Sequence, residues 1–186
     1  NAAREPEIED LSNCLIKMGA KIEGQGTKTI LVQGVTNLKK VEHQVISDRI
    51  VAGTYIIAAL MLNSSLEIKN FNTVYLKSLI NILKKMGAKL KVNKNSIKVF
   101  KGSKLKSTSL STSPYPGFPT DLQAQLMSLM CLSDGKSKIK ETIFENRFMH
   151  VPELNRLGAN ITVEKDTATI IGNQTFKGAQ VMASDL

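Results

Sequence analysis

Three times along the chain, an apolar stretch at helical spacing runs into a glycine and then gives way to strand-like alternation. Ile8, Leu11, Leu15 and Met18 recur at three- and four-residue steps, which predicts an amphipathic helix over Glu5–Met18. Ile22 and the run Thr29–Val32 predict two strands joined by a Gly24-Gln25-Gly26 turn, followed by a loop through Asn37-Leu38-Lys39-Lys40 and Val41–Ile46. Ile50–Leu62 is apolar nearly all round, as a helix buried on every side must be, and Leu66-Glu67-Ile68 closes that unit as a strand. A second unit predicts a helix from Asn72 to Met86, strands Lys89–Val92 and Ser96–Phe100, and a polar loop Gly102–Ser113. Another wholly apolar helix, Leu122–Leu132, and a strand, Lys138–Glu141, follow. A third unit begins near Phe144 and carries strands Ile161–Val163 and Thr169–Ile171.

The glycines sit in one repeated phrase. Lys17-Met18-Gly19-Ala20-Lys21 returns as Lys85-Met86-Gly87-Ala88-Lys89, and again as Arg156-Leu157-Gly158-Ala159-Asn160. Glycine where a helix must stop is expected, because it alone takes the left-handed conformation there without penalty. Three copies of one supersecondary unit mark a repeat architecture of class α/β. The two wholly apolar helices further predict an inverted barrel, with apolar helices inside and sheets outside. Asp48, Asp121 and Asp185 occupy matching places, so a third apolar helix is expected to start where the sequence ends. Asn1 likewise falls where Asn70 falls in the second unit, and the chain is expected to be a central piece of a longer one.

Composition changes little. With 42% hydrophobic and 22% charged residues the chain is ordinary for a globular protein. Its longest apolar run, Tyr55–Leu62, falls far short of the roughly 20 residues a membrane span needs, so no membrane role is expected. The net charge of +9 favours an anionic partner. Many lysines, however, alternate with apolar residues, as in Lys89-Leu90-Lys91-Val92, and read as the wet face of half-buried strands. Aromatics are only 5% and form no stacking platform for bases, so nucleic acid is a second choice. Cys14 and Cys131 lack CxxC spacing and read as buried helix-core thiols in a reducing compartment.

Little chemistry stands out by spacing alone. His43 and His150 have no second ligand at metal spacing, and neither a P-loop nor GxGxxG is present, so no metal or cofactor is expected. His150 is expected to fix its own loop. Asp121 at a helix start has an ordinary explanation, since Asp is a preferred cap and suits the helix dipole. What sets it apart is its approach, Pro114-Tyr115-Pro116-Gly117-Phe118-Pro119-Thr120, stiff enough to aim a side chain.

Longer phrases are more specific. Phe118-Pro119-Thr120-Asp121-Leu122-Gln123-Ala124-Gln125 and Glu141-Thr142-Ile143-Phe144-Glu145-Asn146-Arg147-Phe148-Met149-His150 stand in order with Asn1-Ala2-Ala3-Arg4-Glu5-Pro6-Glu7, Asp48-Arg49-Ile50 and Gly178-Ala179-Gln180-Val181-Met182-Ala183. Together they resemble the UDP-N-acetylglucosamine enolpyruvyl transferases, of the EPSP-synthase-like enolpyruvyl transferase family, essentially end to end. The resemblance implies two inside-out barrels of βαβαββ units with substrates in the cleft between them. Residues 1–45 would end the first domain and 46–186 would form most of the second. It implies transfer of an enolpyruvyl group from phosphoenolpyruvate to the 3′-hydroxyl of UDP-N-acetylglucosamine, releasing phosphate, in the cytoplasm and as the first committed step of peptidoglycan synthesis. Asp121 matches the carboxylate that binds that hydroxyl and is proposed to deprotonate it. Ile143 matches a position holding the sugar nucleotide through its backbone, with Phe144 beside it and Thr120 beside Asp121. Arg49 and Arg147 resemble arginines facing the cleft, and Asp185 an acidic residue near phosphoenolpyruvate. The family's general acid, a Cys on a mobile loop, has no match among residues 1–186, so this stretch is expected to be inactive without the remainder of its polypeptide. A shikimate-pathway enolpyruvyl transferase and a basic RNA- or polyanion-binding module remain the alternative readings.

Overall fold

The three helices that end at the repeated glycine end in the same hydrogen bonds. These are α1 (Pro6–Met18), α3 (Lys77–Lys85) and α5 (Val151–Arg156), in a computed structural model that describes residues 1–183. The alanine after each glycine donates its N–H five residues back, Ala20 to Leu15 O, Ala88 to Leu83 O and Ala159 to Leu154 O, at 2.9–3.0 Å. The glycine itself donates three residues back, and its φ is 108°, 94° and 99° in the three copies. This Schellman closure satisfies carbonyls that the helix end would otherwise leave unpaired. A strap then returns to each helix end: Lys39 N–H donates to Met18 O, Lys106 N–H to Met86 O and Lys177 N–H to Leu157 O, at 2.7–2.8 Å.

After each glycine comes the expected hairpin: β1 (Lys21–Glu23) with β2 (Leu31–Gln33), β4 (Leu90–Asn93) with β5 (Ser96–Val99), and β8 (Asn160–Glu164) with β9 (Thr167–Ile171). Strand β3 (Leu66–Lys69) adds antiparallel to β5, giving the order β3-β5-β4. The last sheet runs β6-β7-β9-β8, with β6 (Ser109–Ser111) parallel to β7 (Lys136–Lys140) and β7 antiparallel to β9. Strand β6 lies inside the stretch expected to be a polar loop. The Ser-Leu-Ser alternation is too short to read as a strand, and pairing with β7 nearly thirty residues away is what orders it.

The core sits between these sheets and two apolar helices, α2 (Arg49–Met61) and α4 (Gln123–Cys131). Ile56, Ile57, Leu79, Leu83, Leu122 and Leu126 are essentially inaccessible to solvent. Gly53 brings α2 close: a methyl group there would stand 2.7 Å from Leu122 Cδ1 and 3.2 Å from Leu79 Cδ2. α2 is not buried on every side, however. Val51, Tyr55 (60% exposed) and Leu62 are accessible, because among the described residues α4 and the β3–β5 pair cover only its opposite face. The lysines behave as expected for solvated strand faces, Lys136, Lys138 and Lys140 being exposed while Ser137 and Ile139 are buried. No helix among the described residues is long and apolar enough to cross a membrane.

Only one of the two thiols is a core thiol. Cys131 is fully buried, and burial pushes its pKa up to about 11. Cys14 is half-buried and lines a cavity of about 750 Å³ between α1 and the segment Val45–Ile50, because its helix has no described layer over that face.

Candidate functional site

Asp121 stands in a 3-10 turn, Thr120–Leu122, that leads into α4. Its carboxylate is 53% exposed and takes no part in capping; the residue at the cap is Pro119, with no side-chain hydrogen bond. In the matching place before α2, Asp48 accepts from Ile50 N–H at 2.7 Å and Val51 N–H at 3.0 Å. The ordinary explanation for an Asp at a helix start therefore holds for Asp48 and fails for Asp121.

Asp121 instead pairs with Arg147, whose Nη2 donates to Oδ1 at 3.1 Å. The Arg147 side chain is mostly buried and its guanidinium lies 5.4 Å from the Phe144 ring centroid. Thus Phe144 and Arg147, from the loop after β7, close over the turn that carries Asp121. Asp121, Thr120, Ile143, Phe144 and Arg49 all line one cavity of about 300 Å³, with Glu5, Tyr115 and Pro119. That volume is at the lower edge of the range for small-molecule sites.

Arg49 is buried, donates its Nε–H to Glu7 Oε1 at 2.8 Å and lies 5.6 Å from the Tyr115 ring. Burial raises the Tyr115 phenol, and the nearby Arg49 charge partly opposes the rise. Ile143 has its N–H committed to Glu141 Oε1 at 2.9 Å, which leaves its carbonyl for a ligand. Thr120 lines the cavity, but its hydroxyl donates to Glu141 Oε2 at 2.9 Å. Asp185 lies outside the described residues.

Residue-type reasoning missed Glu141, Tyr115 and Glu5. Glu141 was legible: the inward positions of β7 are Ser137 and Ile139, and continuing the alternation puts a carboxylate inside. His150 does not fix its loop by hydrogen bonding, since neither ring nitrogen has a partner among the described residues. It packs beside Phe148, and burial with the neighbouring Arg147 charge lowers its pKa to about 4. Among the described residues no group of His, Cys, Asp and Glu could hold a metal.

A carboxylate held by an arginine at the rim of an apolar cavity can accept a hydrogen bond from a ligand hydroxyl, and can take its proton if the hydroxyl becomes acidic. The chain spans less than half the length of the curated relatives it matches. It is 54% identical over 187 residues to the UDP-N-acetylglucosamine 1-carboxyvinyltransferase of Azorhizobium caulinodans, covering all of this chain and 44% of that protein. It is 50% identical to the protein of that name from Pelagibacter ubique and 53% to that from Endomicrobium trichonymphae, covering all of this chain and 45% and 44% of those proteins. The fold superposes on the crystal structure of the enolpyruvyl transferase NikO from Streptomyces tendae with a TM-score of 0.80 and 25% identity, over 91% of this chain and 41% of that one. The model of the EPSP synthase (3-phosphoshikimate 1-carboxyvinyltransferase) family matches residues 1–186 without a break, and the chain belongs to that family.

Proposed function

We propose that the full-length protein transfers the enolpyruvyl group of phosphoenolpyruvate to the 3′-hydroxyl of UDP-N-acetylglucosamine, releasing phosphate. The observation that carries this reading is Asp121, released from capping, ion-paired with Arg147 and sharing a cavity with Ile143 and Phe144. The name borne by relatives at 50–54% identity favours a sugar nucleotide as acceptor over shikimate phosphate.

In this reading Asp121 accepts the 3′-hydroxyl hydrogen bond and takes its proton as the oxygen bonds to C2 of phosphoenolpyruvate, while C3 takes up a proton from an acid; loss of phosphate from C2 and of a proton from C3 then restores the double bond. Arg147 orients the carboxylate and holds its charge. The proton moves late, once the enolpyruvyl carbon has been activated and bonding to it has made the hydroxyl acidic. Cys131 is fully buried in α4 and is not the acid that protonates C3, which this reading assigns to other parts of the polypeptide. Residues 1–45 would close one inside-out barrel and 46–186 build most of the next, with phosphoenolpyruvate and the sugar nucleotide held between them in the cytoplasm.

Phosphate release by the full-length protein tests the reading, with UDP-N-acetylglucosamine and shikimate 3-phosphate as alternative acceptors. Release is expected only with the sugar nucleotide. Turnover with shikimate 3-phosphate alone would overturn it.

A further inference from the structure

We propose that Glu141 is a positioning residue, a buried carboxylate that locks the turn carrying Asp121 to the loop carrying Ile143, Phe144 and Arg147. The inference rests on the sugar-acceptor reading above and adds to it a residue that touches no substrate.

Glu141 follows β7 and is only 4% exposed. An interior carboxylate is costly unless its oxygens are well supplied with donors. Here both are. Oε1 accepts from the Thr112 hydroxyl at 2.7 Å, from Ile143 N–H at 2.9 Å and, at 3.4 Å, from Phe144 N–H. Oε2 accepts from the Thr120 hydroxyl at 2.9 Å. The donors come from three separate stretches: the approach to the proline-rich segment, the Asp121 turn, and the loop after β7.

Thr112 is a second knot in the same place. Its Oγ1 accepts from Thr142 N–H at 2.8 Å, and its carbonyl accepts from the Thr142 hydroxyl at 2.6 Å. Among the described residues, Glu141 joins the Asp121 turn to the loop after β7 through Thr120, and Thr112 joins the proline-rich approach to the same loop. Arg147 to Asp121 is a further tie, its Asp121 end exposed at the rim. The geometry gives the interior carboxylate the task of setting where Asp121 and the Ile143 carbonyl stand relative to one another.

The arrangement also says which substitution should be tolerated. In Glu141→Gln the amide oxygen can keep the Thr112, Ile143 and Phe144 bonds, while the amide nitrogen donates to a rotated Thr120 hydroxyl. Glu141→Ala strips all four and leaves the buried Thr112 and Thr120 hydroxyls without their acceptor.

The test is steady-state kinetics of the full-length protein and these variants with both substrates varied. Glu141→Ala is expected to lower kcat/KM for the sugar nucleotide about 100-fold, the cost of misplacing reacting groups by about 1 Å. KM for phosphoenolpyruvate should stay within about twofold, and Glu141→Gln should recover most of the activity. Where Glu141→Ala does not accumulate as folded protein, Thr120→Val carries the same test, since it frees one carboxylate oxygen and leaves the charge; it should raise the sugar-nucleotide KM selectively. A loss of active protein with both KM values unchanged would reduce Glu141 to a stability role and overturn the proposal. So would Glu141→Gln as inactive as Glu141→Ala, which would make the charge itself the requirement. If the unsubstituted protein releases no phosphate, the reaction reading fails separately. Amide hydrogen exchange then decides for Glu141: Ile143 and Phe144 must exchange faster in Glu141→Ala, and unchanged protection overturns the lock.

Discussion

Asp48 and Asp121 occupy corresponding places before the two apolar helices, yet only Asp48 caps its helix. The same residue type at the same point of a repeat has been put to two uses. In the second, the carboxylate points to a cavity and an arginine instead of to backbone N–H groups.

That divergence predicts opposite outcomes from one substitution. Asp48→Ala should cost about 1 kcal/mol of stability through the lost cap, seen as a lower denaturation midpoint. Asp121→Asn should leave the midpoint nearly unchanged and abolish phosphate release by the full-length protein. A large stability loss in Asp121→Asn would return it to a structural role.

The glycine caps are not equally demanding. Placing any L side chain at their φ costs about 1–2 kcal/mol. At Gly19 a methyl group would meet nothing within 4 Å, whereas at Gly87 it would stand 3.0 Å from Lys104 O. Gly87→Ala should therefore destabilise more than Gly19→Ala, a ranking that urea denaturation of the two variants can read.

Gly53 is conformationally ordinary and sterically constrained. Gly53→Ala should lose about 1–3 kcal/mol by overpacking α2 against Leu122 and Leu79. Pairing it with Leu122→Ala, which opens space at the contact, should recover part of its own cost. A double-mutant cycle on denaturation free energies measures that coupling.

His150 should bind its proton far below the usual imidazole range. Burial is the main cause and the Arg147 charge adds to it, so the folded-state pKa is about 4 against 6.5 for an unhindered group. The unfolded chain then takes up the proton first, and this residue's contribution to stability is full above pH 6.5 and is lost as pH falls towards 4. An NMR titration should show His150 neutral at pH 5.5, and Arg147→Met should raise its pKa. A midpoint near 6.5 would contradict the burial seen here.

The two thiols should separate cleanly. Cys131, buried with its pKa raised to about 11, should resist iodoacetamide at pH 8, while Cys14 labels. Mass spectrometry of the labelled native protein gives the answer directly.

Although the helix expected from Asn72 opens as a 3-10 turn, Thr73–Leu76, the helix-glycine-hairpin part of the repeat was legible because its signals are local: a glycine at a helix end and a following alternation need no partner to be read. The strand at Ser109–Ser111 was not, because only its pairing with Lys138–Lys140 makes it one. The apolar run Ile50–Leu62 gave the helix but not its exposure, since a sequence shows what a face can bury and not what covers it. At the site, the segments holding Asp121, Ile143, Phe144 and Arg147 could be matched as phrases. Their joining through Glu141 depends on three stretches meeting in space, and only the inward register of β7 hinted at it.

The strap that returns to each helix end has a consequence for how such a chain reaches its fold. Each one closes a loop of roughly 20 residues, so each repeat is fastened by contacts short in sequence, and its closure entropy is small. Rates of folding rise with such locality. A chain emerging from the ribosome can therefore complete one helix, hairpin and strap before the next is made, and errors of register in one unit need not spread to its neighbour.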